Sequence, residues 1–169
     1  MIAVALVAAA LSVAGHVLGK ATRDALFLAA FPVTELPYFV LATGAVSLVA
    51  VGLYTRLNAR FGPKVVVPLV GIVTALWLVP LWLGVRARIE AATICLYPWV
   101  TVTGTLLASG FWAVLAERFD PRRARRLFGW MGVATTVGGL AGGFGVHQAL
   151  GYIKTEDLLV VLTGLNVLT

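Results

Sequence analysis

Charge is scarce in this chain. Of its 169 residues, 12% are charged, about half the roughly 25% of an ordinary globular domain. Apolar residues make up 60%, and the mean hydropathy is +0.98. A soluble domain and a disordered tail are both excluded, because neither leaves so much apolar surface to water. Cysteine is nearly missing as well. Cys95 is the single one, so neither a disulfide framework nor a cysteine-held metal cluster can form. The chain also lacks a Gly-Lys-Ser/Thr phosphate loop, a His/Glu zinc spacing and a serine set beside a base. An enzyme, a metal or a cofactor therefore finds no foothold here. The net charge of +6 is not a nucleic-acid footprint either, since the cations fall in short clusters between apolar runs and line no single water-facing patch.

What is present is a series of long apolar runs. A helix crosses a bilayer with about 20 mostly apolar residues, because the hydrocarbon core is roughly 30 Å thick and each residue rises about 1.5 Å. Five stretches meet that length, at about 2–31, 37–57, 65–85, 91–116 and 122–150. The first continues past Lys20, Arg23 and Asp24 before Pro32 stops it. A sixth, 158–169, is apolar but spans 12 residues, about 18 Å of helix and too short to cross. The expectation is an all-α membrane protein, one transmembrane domain over 1–169, with five full spans and a truncated sixth. A secretory signal over Met1–Gly19 fits poorly. Such a signal opens with basic residues, and no Lys or Arg precedes residue 20.

Positive residues in the connections predict the orientation. Arg56, Arg60 and Lys64 follow the second span, and Arg118, Arg122, Arg123, Arg125 and Arg126 follow the fourth; Arg86, Arg88 and Lys154 lie on the other side. The cation-rich side is read as cytoplasmic, and the N-terminus with it. Asp120-Pro121 reads as an N-cap with proline at the first helical position. Gly138/Gly142 and Gly139/Gly143 are small-xxx-small pairs that let another helix approach closely.

Lys20, Arg23 and Asp24 sit where charge is expensive. At membrane depth a charge costs a few kcal/mol unless it meets a cavity or a partner. His16, Lys20 and Arg23 stand at i, i+4 and i+7, on one helical face, with Asp24 one turn after Lys20. A stripe of cations on an inward face attracts an anion, and arginine suits phosphate or carboxylate because its planar guanidinium donates two parallel hydrogen bonds. The structural alternative is that Lys20 pairs with Asp24 or snorkels to the interface, and that His16 merely packs. Glu35 marks the entry to the second helix. Thr43, Ser47, Thr103, Thr105, Ser109, Thr135 and Thr136 can satisfy themselves on their own helices. Trp99 and Trp112 are read as packing residues, and His147 and Gln148 as interfacial.

Three stretches carry a resemblance. They are Gly19-Lys20-Ala21-Thr22-Arg23-Asp24-Ala25-Leu26; Glu35-Leu36-Pro37-Tyr38 with Leu53-Tyr54-Thr55-Arg56-Leu57-Asn58-Ala59-Arg60; and Phe111-Trp112 with Ala124-Arg125-Arg126-Leu127-Phe128-Gly129. In this order they resemble the ATP/ADP translocase family of bacterial and plastid nucleotide transporters. The resemblance implies a major-facilitator-like plan, with this chain as the N-terminal half of a twelve-helix carrier in a bacterial inner membrane. It implies transport roles for Arg23 and Lys20; with the stripe on the first helix, the candidate substrate site is Lys20, Arg23, Asp24 and His16, with Lys20 and Arg23 on the anion and Asp24 holding them in place. Its partners would be membrane lipid, a small anionic solute with nucleotides as the narrower case, and the C-terminal half. The chain departs from the family at two points. Ala59 stands where major facilitators carry an aspartate, and Tyr97, Pro98, Trp99, Val100 and Thr101 supply no acid where the exchangers have a glutamate. Two other readings stay open: a carrier of another solute, proton-coupled through His16 or Asp24, and a non-transporting anchor for a soluble domain.

Overall fold

In a computed structural model the apolar runs become helices. The structure describes the backbone at 2–118, 121–149, 151–152 and 154–168, and the side chains at all of these except 2, 118, 121–127 and 165–168. The helices are α1 (Ile2–Ala30), α2 (Leu36–Phe61), α3 (Pro63–Arg86), α4 (Glu90–Arg118), α5 (Pro121–Ala149) and α6 (Leu158–Leu168). Short 3-10 turns at Val33–Glu35 and Thr155–Asp157 lead into α2 and α6. Glu35 is the residue before α2, as expected.

Local chemistry sets the boundaries. Pro37 and Pro63 fall in the first turns of their helices, where a missing N–H costs nothing. Gly62 alone separates α2 from α3, at a φ of 78° that glycine adopts freely. The expected loop of Arg56, Arg60 and Lys64 is therefore not a loop: both arginines are helical and Lys64 lies in the first turn of α3. No breaker occurs between Thr55 and Phe61, and arginine is a good helix former. At the far end of α3, Ile89 N–H bonds Gly84 O at 3.0 Å and Arg88 N–H bonds Val85 O at 2.9 Å. This is a Schellman cap, with Arg88 at φ 57° in the place glycine usually takes. The expected N-cap Asp120 lies outside the described residues, as do the side chains of Arg118, Arg122, Arg123, Arg125 and Arg126.

Among the described residues, four segments are long and apolar enough to cross a membrane: Ala3–Ala30, Val33–Phe61, Pro63–Arg86 and Glu90–Glu117. α5 has the length, at 29 residues, but is not among them. Its seven glycines between Gly129 and Gly145 add little hydropathy per residue. Outward surfaces agree with a membrane setting. α2 buries only Thr43 and Tyr54 among its described residues, and Leu41, Leu48, Val49, Leu76 and Leu140 are all more than two-thirds exposed.

α1 is central. It packs most extensively on α5, then on α4 and α6, while α3 packs on α4 and α6 and α2 on α4. Exchanging α1–α3 with α4–α6 maps these pairs onto one another. α1·α5 becomes α4·α2, α3·α4 becomes α6·α1, and α1·α4 and α3·α6 return to themselves. The match is one of pairing and not of extent, since α1·α5 is far larger than α2·α4 and the small α2·α3 contact has no counterpart of note among the described residues. The main core joins Leu18 and Leu26 to Leu78, Leu96, Leu158 and Leu162. In lipid such contacts are held by packing and close approach, not by exclusion of water. The α1–α5 seam shows this best, because a methyl on Gly142 would lie 2.7 Å from the carbonyl oxygen of Ala14. Exposed pairs Lys64–Glu117 (3.5 Å) and Arg86–Asp157 (4.0 Å) join helix ends, and pairs of that kind add little.

Candidate functional site

Three contacts define the seam between α1 and α4. His16 Nδ1 lies 2.9 Å from the point a Cβ on Gly104 would occupy. One turn on, a Cβ on Gly19 would meet Val100 Cγ1 at 3.2 Å. One further turn on, Arg23 reaches Thr101. His16, Gly19 and Arg23 stand at i, i+3 and i+7 and so share the α4-facing side of α1. Ala10 and Ala14 face α5 through Gly138 and Gly142. Between these two lines runs a strip of Val13, Val17, Lys20 and Asp24, again at helical spacing.

Arg23 is buried, with 8% of its side chain exposed. Its Nε donates to Asp24 Oδ1 at 2.8 Å, and its Nη2 lies 2.7 Å from the same oxygen. Nη1 donates to Thr101 Oγ1, which can accept because its own proton goes to Tyr97 O at 2.7 Å. The guanidinium rests 4.3 Å from the centre of the Tyr97 ring, an attraction that gains strength where water is excluded. Phe27 and Phe39 pack on Tyr97 at centroid distances of 5.1 and 6.1 Å. The buried cation thus has a carboxylate, a hydroxyl and a ring around it, and it ties α1 to α4.

Lys20 is exposed and forms no ion pair or side-chain hydrogen bond among the described residues. Asp24, 43% exposed at its side chain, pairs with Arg23 and not with Lys20. Sequence spacing placed His16, Lys20 and Arg23 on one face; the structure divides them. Arg23 turns into the seam, and Lys20 stays on the open strip with Asp24. On α4, Thr105 and Trp112 are exposed and Thr101 is half-buried. Because Arg23 neutralises Asp24, the charge left on this side of α1 is the single one of Lys20.

Tyr97 and Thr101 were legible only as an acid-free stretch, not as partners of Arg23. They lie more than seventy residues away along the chain, and no local signal joins them to it. The self-satisfaction read for the hydroxyls holds for Ser47, Thr103, Thr105, Thr135 and Thr136, each of which donates to a carbonyl of its own helix. His147 and Gln148 are exposed near the end of α5. Trp112 stacks near Phe128 at 6.1 Å, and Trp99 against Trp77 at 5.7 Å. No family model matches the chain, and no curated protein or solved structure matches it.

Proposed function

We propose that the protein is a six-helix unit of a major-facilitator-like secondary transporter that takes an anionic solute at Lys20, with nucleotides as the narrower case. The observation that carries this reading is an exposed lysine with no ion-pair partner among the described residues, on a helix long and apolar enough to cross a membrane. Lys20 lies roughly 27 Å along α1, in the outer third of a bilayer entered at Ile2. A cation at that depth is retained where it has work on a pathway. Its ammonium gives charge-assisted hydrogen bonds to phosphate or carboxylate oxygens. Arg23 acts as a positioning residue: it cancels the charge of Asp24, which would otherwise repel the anion, and holds it in place.

The exchange symmetry of the helix contacts supports the carrier plan, since carriers of this kind are built from paired three-helix repeats with the solute near their interface. Transport proceeds by alternating access, without covalent chemistry. Arg56, Arg60, Lys64 and the Arg118–Arg126 cluster set the N-terminus on the cytoplasmic side of a bacterial inner membrane.

The test is uptake into proteoliposomes of labelled ATP, ADP and inorganic phosphate, with a neutral sugar as control. At least one anion accumulates and the sugar does not. Lys20→Gln lowers anion uptake about tenfold or more, the value of one charge-assisted hydrogen bond, while Lys20→Arg retains a measurable part. No anion uptake, or uptake indifferent to Lys20→Gln, overturns the reading.

A further inference from the structure

On the other side of the α1–α4 seam lies a cavity of about 40 Å³. Its polar wall is Ser12 and His16 from α1, Thr74 from α3 and Thr103 from α4, with aliphatic side chains and glycines closing the rest. The space is large enough for water, since one molecule needs roughly 10–15 Å³ by this measure.

The hydrogen bonds say what belongs there. Thr74 and Thr103 are 2% and 7% exposed. Each gives its proton to its own helix, Thr74 to Val70 O and Thr103 to Trp99 O, both at 2.7 Å. Their oxygens can therefore only accept. Ser12 and His16 form no side-chain hydrogen bond among the described residues, and an imidazole held without a partner inside a bundle is costly. The absence of a Cβ at Gly104 is what lets the ring reach α4. An occupant must donate to two threonines and still meet an imidazole nitrogen. Water does this. A metal cation would find three hydroxyl oxygens and no carboxylate, too few for a hard ion.

We propose that this cavity holds a hydrogen-bonded water and that through it His16 gains and loses a proton, which makes the proton the coupling ion of the carrier. Only the last part rests on the transport reading above; hydration and protonation of His16 stand apart from it. Imidazole changes charge between about pH 5 and 8. The incoming proton forms an N–H bond at the unprotonated ring nitrogen and leaves the delivering water neutral; release reverses the step. The charged groups near His16 are Lys20 and Arg23 of its own helix, the latter already paired with Asp24. α3, α4 and α6 present no ionisable side chain to the cavity.

The chain contains two histidines, His16 and His147, so ring-labelled histidine in lipid nanodiscs yields two sets of nitrogen signals, and His16→Gln assigns them. Water-edited solid-state NMR then measures transfer from water to the His16 ring across about pH 5 to 8. The expected result is rapid transfer and a change from the two unlike nitrogens of neutral imidazole to the similar pair of imidazolium. Thr74→Val with Thr103→Val removes the acceptors and cuts the transfer severalfold. A ring with no water transfer, or one in a single protonation state throughout, overturns the proposal without touching Lys20. The wild-type measurement decides even where the double variant does not fold. With His16 titrating as expected, anion uptake that ignores an imposed pH gradient refutes the coupling alone.

Discussion

The seam between α1 and α5 makes a prediction in which two neighbouring glycines answer with opposite signs. A methyl added at Gly142 would lie 2.7 Å from the Ala14 carbonyl oxygen and 2.9 Å from Ala14 Cα. Both are backbone atoms and cannot rotate away. Ordinary contact begins near 3.4 Å, so the helices have to part by roughly 0.7 Å, an overpacking that costs about 1–3 kcal/mol. The better helix propensity of alanine offsets about 1 kcal/mol of that. Gly142→Ala should therefore lose up to about 2 kcal/mol. Gly138→Ala should lose more, because its methyl would overlap the Ala10 carbonyl more deeply. Three residues beyond Gly142, Gly145 has nothing within 4 Å. Gly145→Ala keeps the propensity gain and is stabilised by up to about 1 kcal/mol. Reversible unfolding in mixed micelles, followed by the fluorescence of the five tryptophans, measures all three. Equal stability of Gly142→Ala and Gly145→Ala would refute the backbone contact on which the reasoning rests.

Asp24→Asn leaves a buried guanidinium without its counter-charge. A fully buried pair loses about 3–5 kcal/mol when broken from one side; with Asp24 43% exposed and Thr101 and Tyr97 still in place, about 1–3 kcal/mol is expected after allowing for water. Arg23→Met should lose less in the same unfolding assay, since Asp24 can then turn to solvent. Arg88→Gly relieves a left-handed backbone, worth about 1–2 kcal/mol, against the extra freedom glycine gives the unfolded chain; a net gain of about 0.5–1 kcal/mol should appear as a raised midpoint.

Much of the fold was legible because a bilayer allows few solutions. Apolar runs of the right length, bounded by Pro32, Pro37 and Gly62, mark helices whatever packs beside them. One departure has a physical cause as well. Arg56 and Arg60 look like loop residues to a hydropathy count, yet nothing in their stretch breaks a helix. α5 keeps the length of a span, and its glycines serve close approach to α1. The site was legible by half. Spacing shows that Lys20 and Arg23 lie near one face, but the three steps from one to the other turn the chain by about 300°, and that offset of about 60° decides which cation meets α4 and which stays in the open. The position of a neighbouring helix is a tertiary fact and leaves no trace in local spacing. Thr74 and Thr103 illustrate the same limit: each is self-satisfied along its helix, and only packing brings their spare lone pairs to one cavity.

Tyr97 serves two structures at once. One face of its ring supports the Arg23 guanidinium at 4.3 Å, and its remaining surface meets Phe27 of α1 and Phe39 of α2. Three helices thereby share a single aromatic knot seated on an ion pair. When α2 shifts and takes Phe39 with it, the platform under a desolvated cation shifts too, so a displacement at the Pro32 end is felt by Asp24 within three contacts, through Tyr97 and Arg23.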